Sequence, residues 1–156
     1  MNKILNKIKI PAKANQQKIE KFFITNKLGE LVKLSKLSKP LSVNQIVSKN
    51  LPSYPPILSD LYRLYNFVIL NKRTTILEFG SGWSTLIFNL ALSVNKVKYS
   101  EEIKNLRRNT PFELFVLENK KKFLSQTKKR IGYFKKNLDK KKFLSKINWS
   151  YSDVYM

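Results

Sequence analysis

The segment TTILEFGSGWSTLIFNLAL, Thr74 to Leu92, constrains the chain more than any other. An apolar, β-branched run reaches an acid, Glu78; two of the chain's four glycines, Gly80 and Gly82, follow, and a helical pattern begins directly after them. TTILEF has the content of a short strand buried on both faces, as parallel strands between helices are. GSG permits a sharp turn, because glycine reaches positive φ at little cost and lets a ligand approach the backbone. WSTLIFNLAL sets Leu86, Asn89, Leu90 and Ser93 at helical spacing, with Ser81 or Ser84 available to cap the first turn. The expectation is strand, glycine turn, helix. The start of such a helix aims backbone N–H groups and a partial positive charge at whatever lies above the turn.

What the turn lacks narrows the ligand. A phosphate-gripping P-loop requires a final glycine followed by lysine, but the corresponding positions hold Thr85 and Leu86. The dinucleotide fingerprint G-x-G-x-x-G matches at Gly80 and Gly82 and fails at Thr85. Glu78 would also repel a pyrophosphate. A ligand carrying an ammonium beside a carboxylate fits better: the helix N–H groups take the carboxylate, and Glu78 faces the ammonium directly or through water.

Composition sets the outer bounds. The chain has 156 residues, 42% of them apolar, which is room and material for one ordinary core. It has no cysteine and no histidine, so disulfides, thiolate metal sites, Ser-His-Asp triads, Cys-His dyads and zinc chemistry are excluded. Apolar runs such as FVIL, Phe67 to Leu70, are far shorter than the roughly 20 residues a membrane span needs. The start, MNKILNKIKIPAK, is basic without an unbroken apolar stretch, so a cytoplasmic protein is expected. The formal net charge of +21 suggests an anionic partner such as nucleic acid. Of the 31 basic residues, however, five are arginine (Arg63, Arg73, Arg107, Arg108 and Arg130), which leaves 26 lysines. Bidentate reading of bases or phosphates favours arginine, so a solvated lysine surface is preferred over a polyanion site.

Along the chain, residues 1–50 form a basic helical region, with Ile19, Phe22 and Phe23, then Leu28, Leu31, Val32 and Leu34, at helical spacing. Pro40 ends that pattern. Residues 51–58, with Pro52, Pro55 and Pro56, read as an extended linker. The α/β domain occupies 59–156, opening with a helix capped by Ser59 or Asp60 whose face carries Leu61, Leu64, Tyr65, Val68 and Ile69.

The stretch ILEFGSGWSTLIF resembles the first motif of class I S-adenosylmethionine-dependent methyltransferases. After the helix, PFELFVLENKKKFLSQTKKRI offers a second strand from Phe112 to Leu117, an acid at Glu118 and a helix from about Lys120. The family similarly places an acid at the end of its second strand, where the two oxygens accept from both ribose hydroxyls. The resemblance, spanning Ser59 to about Trp149, implies the N-terminal part of a doubly wound Rossmann-like sheet preceded by helical segments. It implies S-adenosylmethionine as cofactor, held by Glu78, Gly80, Ser81, Gly82, Trp83, Ser84, Glu118 and Asp153, with in-line methyl transfer driven by positioning. Each residue also has a plainer reading. The glycines serve any tight turn, Glu78 can pair with Arg73, and Glu118 can balance Lys120 to Lys122. Trp83 can pack on a neighbouring helix, and Asp153 lies at the very end of the chain.

Two departures from the family pattern shape the expectation. Glu78 and Glu118 are 40 residues apart, about double the usual spacing, so SVNKVKYSEEIKNLRRNTPF reads as an insertion whose EEIKNLRR core forms a short surface helix. A third strand starts near Ile147, and the half of such a sheet that carries the methyl acceptor does not follow. The chain is therefore expected to be a fragment with an open edge at its first strand, inactive alone, its catalytic residues lying beyond Met156. A basic nucleic-acid-binding protein and a non-catalytic α/β interaction module are the alternatives.

Overall fold

The computed structural model describes residues 8–37, 54–105, 109–138, 143 and 145–152. Pro40, Pro52, Arg107, Arg108 and Asp153 lie outside them. Contacts divide the chain into two units, Ala14–Tyr62 and a second made of Arg63 onward with the segment ahead of Ala14. The division falls inside a helix rather than in the stretch 51–58.

In the first unit, α1 (Gln16–Thr25) and α2 (Gly29–Leu37) form a helical hairpin. Asn15 caps α1 by accepting from Lys18 N at 2.9 Å. The reversal after α1 is closed by Leu28 N donating to Phe23 O at 2.7 Å, with Lys27 in the left-handed region at φ 59°. Ile19, Phe23, Leu28, Leu31 and Val32 are buried, as their spacing predicts, and Phe22 meets Phe23 and Tyr62 edge to face.

The second unit is α/β. Helix α3 (Leu58–Leu70) starts before Ser59 and Asp60, which therefore lie within its first turn instead of capping it. It ends in another reversal with a lysine in the glycine-favoured position: Lys72 has φ 48°, and Arg73 N donates to Val68 O at 3.0 Å. Asn95 secures this corner by donating to Val68 O and Arg73 O, and Asn71 pairs with both backbone groups of Lys9.

Strands β1 (Thr75–Phe79), β2 (Glu113–Glu118) and β3 (Lys146–Tyr151) form a parallel sheet in the order β1-β2-β3, so β1 is an edge. Ile76, Leu114 and Ile147 align in one row and Glu78, Val116 and Trp149 in the next, on the same face. There Leu114 and Val116 join Val68 of α3 and Ala91 and Leu92 of α4 (Trp83–Lys104) in the main core. The expected burial of β1 on both faces is corrected: Leu77 and Phe79 point the other way and are 61% and 76% exposed. Strand periodicity forces this once Ile76 and Glu78 occupy the core rows.

Helix α4 buries Leu86, Asn89, Leu90 and Ser93 as expected, but it runs for 22 residues. The supposed insertion thus mostly lengthens the helix, and its acidic stretch is not a separate one. Tyr99 and Ile103 in the extension pack with Phe112, which turns the chain into β2 at φ 61°. Two buried polar residues of α4 position β3: Asn89 donates to Ser145 O at 2.9 Å, and Ser145 N donates to Ser93 Oγ at 3.0 Å. Helix α5 (Lys121–Asn137) connects β2 to β3 and buries Thr127, Ile131 and Phe134.

Candidate site at the carboxyl ends of the strands

The turn between β1 and α4 is built from the glycines outward. Gly80 has φ 87°, a conformation that side chains disfavour, and its N–H donates to Leu117 O at 2.8 Å, extending the sheet past Phe79. Gly82 has an extended backbone, and a Cβ on it would enter open space. Nothing in the protein's own packing calls for glycine at Gly82. The Gly82 N–H donates to Thr85 Oγ1 at 3.0 Å, which caps α4; neither Ser81 nor Ser84 caps it, because both hydroxyls are turned to carboxylates.

Those carboxylates belong to Glu78 and Glu118, 8% and 4% exposed. Glu118 is held on both oxygens. Ser81 donates to its Oε2 through N and Oγ, each at 2.8 Å, and Lys120 N donates to Oε1 at 3.0 Å. Its carbonyl accepts from Ser152 N at 3.1 Å, tying in the end of β3. Lys120 contributes this bond through its backbone, so Glu118 is more than a charge balancing nearby lysines.

Glu78 is held less completely, by hydroxyls and no backbone amide. Ser84 Oγ donates to Oε1 at 2.5 Å, while Oε2 is buried without a hydrogen-bond partner. Burial pushes its pKa up to about 7; the Glu118 charge adds to the rise, and bonds with Ser84 and Thr85 oppose it. The alternative partner, Arg73, lies over the Phe67 ring.

Glu78, Gly80, Ser81, Gly82, Ser84 and Glu118 thus meet where β1 and β2 end, as the sequence predicts. One detail differs from expectation, and Trp83 follows its plainer reading. The amides of Ser81 and Gly82 have internal acceptors, so they are not among the helix-start N–H groups turned to a ligand. Trp83 carries the Arg130 guanidinium on its ring, 3.5 Å from the centroid, which joins α4 to α5. Burial lowers the Arg130 pKa. Thr85, Arg130 and Ser152 were not expected at the site. Thr85 alone had a signal, as a hydroxyl in the first helical turn three residues past Gly82. Asp153 is outside the described residues. Among the described residues no three acidic side chains gather in a way that could hold a metal ion. No described helix is long and apolar enough to cross a membrane.

Comparison with protein-family models, with curated proteins and with solved structures returns no match.

Proposed function

We propose that this chain carries the cofactor-binding part of a class I S-adenosylmethionine-dependent methyltransferase, in a Rossmann-like half sheet. The observation that carries the reading is Glu78: a buried carboxylate oxygen without a partner, beside a glycine turn and a helix start, fits an ammonium group. The start of α4 suits the adjoining carboxylate of the same methionyl group. Gly82 leaves room for its approach.

Glu118 suits a ribose diol, with one condition. A carboxylate has about four acceptor sites, and three are used by Ser81 and Lys120. Gripping both hydroxyls requires the Ser81 side chain to turn away from Oε2. When bound, the cofactor supplies an electrophilic methyl group. Glu78, the glycine turn and Glu118 orient it.

Thermal-shift titration with S-adenosylhomocysteine tests this. A saturable rise in melting temperature is expected for the native chain, and a much weaker rise for Glu78→Ala and for Glu118→Ala. No rise at millimolar ligand would refute it.

A further inference from the structure

A groove of about 400 Å³ runs between α5 and the end of β3, lined by Lys121, Leu124, Ser125, Lys128, Lys129 and Tyr151. It takes no part in the site above. Helix α5 contains Lys121, Lys122, Lys128, Lys129, Arg130, Lys135 and Lys136 and no acid. Lys121, Ser125 and Lys128 follow one another at one-turn spacing, so the cations form a stripe along the groove; its outer lysines lie about 10 Å apart along the axis. Aromatic rings of β3 lie beneath it: Lys121 Nζ is 4.9 Å from the Tyr151 ring and Lys128 Nζ 5.5 Å from the Trp149 ring. Tyr151 is 37% exposed.

We propose that this groove binds single-stranded nucleic acid, with Lys121, Lys128 and Lys129 on backbone phosphates and Tyr151 stacking a base. A row of cations over aromatic rings meets the two needs of such a ligand, charge along the backbone and a flat surface for bases. Lys121 moves from ring to phosphate, which opens the Tyr151 face. A lipid surface fits less well, because the groove is concave and Leu124 is the one aliphatic side chain among its described lining residues. Charge alone does not lead here: lysine is spread over the whole chain, whereas the coincidence of an acid-free helix, a concavity and ring-mounted ammonium groups is local. The inference is independent of the cofactor reading.

The test compares two triple variants of the full chain with equal charge loss. Lys121→Gln/Lys128→Gln/Lys129→Gln empties the groove of charge, and Lys18→Gln/Lys21→Gln/Lys33→Gln removes exposed cations from the helical unit. Binding of a labelled oligouridylate of about ten nucleotides is followed by anisotropy over a range of salt. The groove variant is expected to lose about tenfold or more in affinity, with a salt slope shallower by about 2, and the control less than about threefold. Tyr151→Leu is expected to weaken binding about fivefold or more at unchanged salt slope. Equal losses in both triple variants, or no binding by the native chain at about 0.1 M salt, would overturn the proposal. So would a groove variant that loses binding to phosphatidylserine vesicles but keeps its affinity for the oligonucleotide. Thermal melting of each variant confirms that the exposed substitutions leave the fold intact.

Discussion

The ends of β1 and β2 present the same side chain on the same face of one sheet and treat it in opposite ways. Glu118 at the end of β2 is locked by three donors, two of them backbone amides. Glu78, near the end of β1, has the hydroxyls of Ser84 and Thr85 beside it but no backbone amide, and its Oε2 is buried without a hydrogen-bond partner. The difference shows how a sheet can make one acid structural and hold its neighbour ready to change charge. Glu118 fastens the glycine turn, the start of α5 and the exit of β3; Glu78 is left where a cation would be welcome.

Removing the lock should have the largest effect. Glu118→Ala strands Ser81 N, Ser81 Oγ and Lys120 N, and a loss of about 3–4 kcal/mol is expected in denaturant unfolding. A loss below about 1 kcal/mol would mean that Glu118 is not the fastening.

Next in size is the pH dependence of Glu78. Its folded pKa, about 7, lies above the ordinary 4.5, so its contribution is fully present below pH 4.5 and is lost as pH rises through 7. Without ligand, about 3 kcal/mol of stability should disappear across that window. Glu78→Gln should flatten the curve and be the more stable protein at pH 8. A native profile that rises with pH through this window, with the same profile in the variant, would contradict the assignment.

The glycines separate shape from ligand. Gly80→Ala must adopt a positive φ and should cost about 1–2 kcal/mol. Gly82→Ala should change stability by less than about 0.5 kcal/mol while weakening S-adenosylhomocysteine, because its Cβ meets only the space a ligand needs. Equal costs at the two positions would remove that distinction.

The strand–turn–helix frame was legible because each piece rests on local chemistry: an apolar run, glycines and helical spacing. The starts of β2 and β3 fall within a residue of expectation for the same reason. The full length of α4 was hidden because its last turns carry only Tyr99 and Ile103 as buried residues amid exposed polar ones. The apolar content of β1 concealed that only one of its faces is covered, since composition cannot tell which face a neighbour supplies. The bonds from Ser81 to Glu118 join residues 37 apart, a tertiary pairing with no local signature. The same holds for Arg130 on Trp83.

The central claim is that Glu78 receives a cation. Calorimetric titration of S-adenosylhomocysteine at pH 7, in buffers of different ionisation enthalpy, measures it directly. A carboxyl half protonated at that pH should release about half a proton when an ammonium arrives, and Glu78→Gln should release none. Absence of binding, or the same proton count in both proteins, would contradict the account.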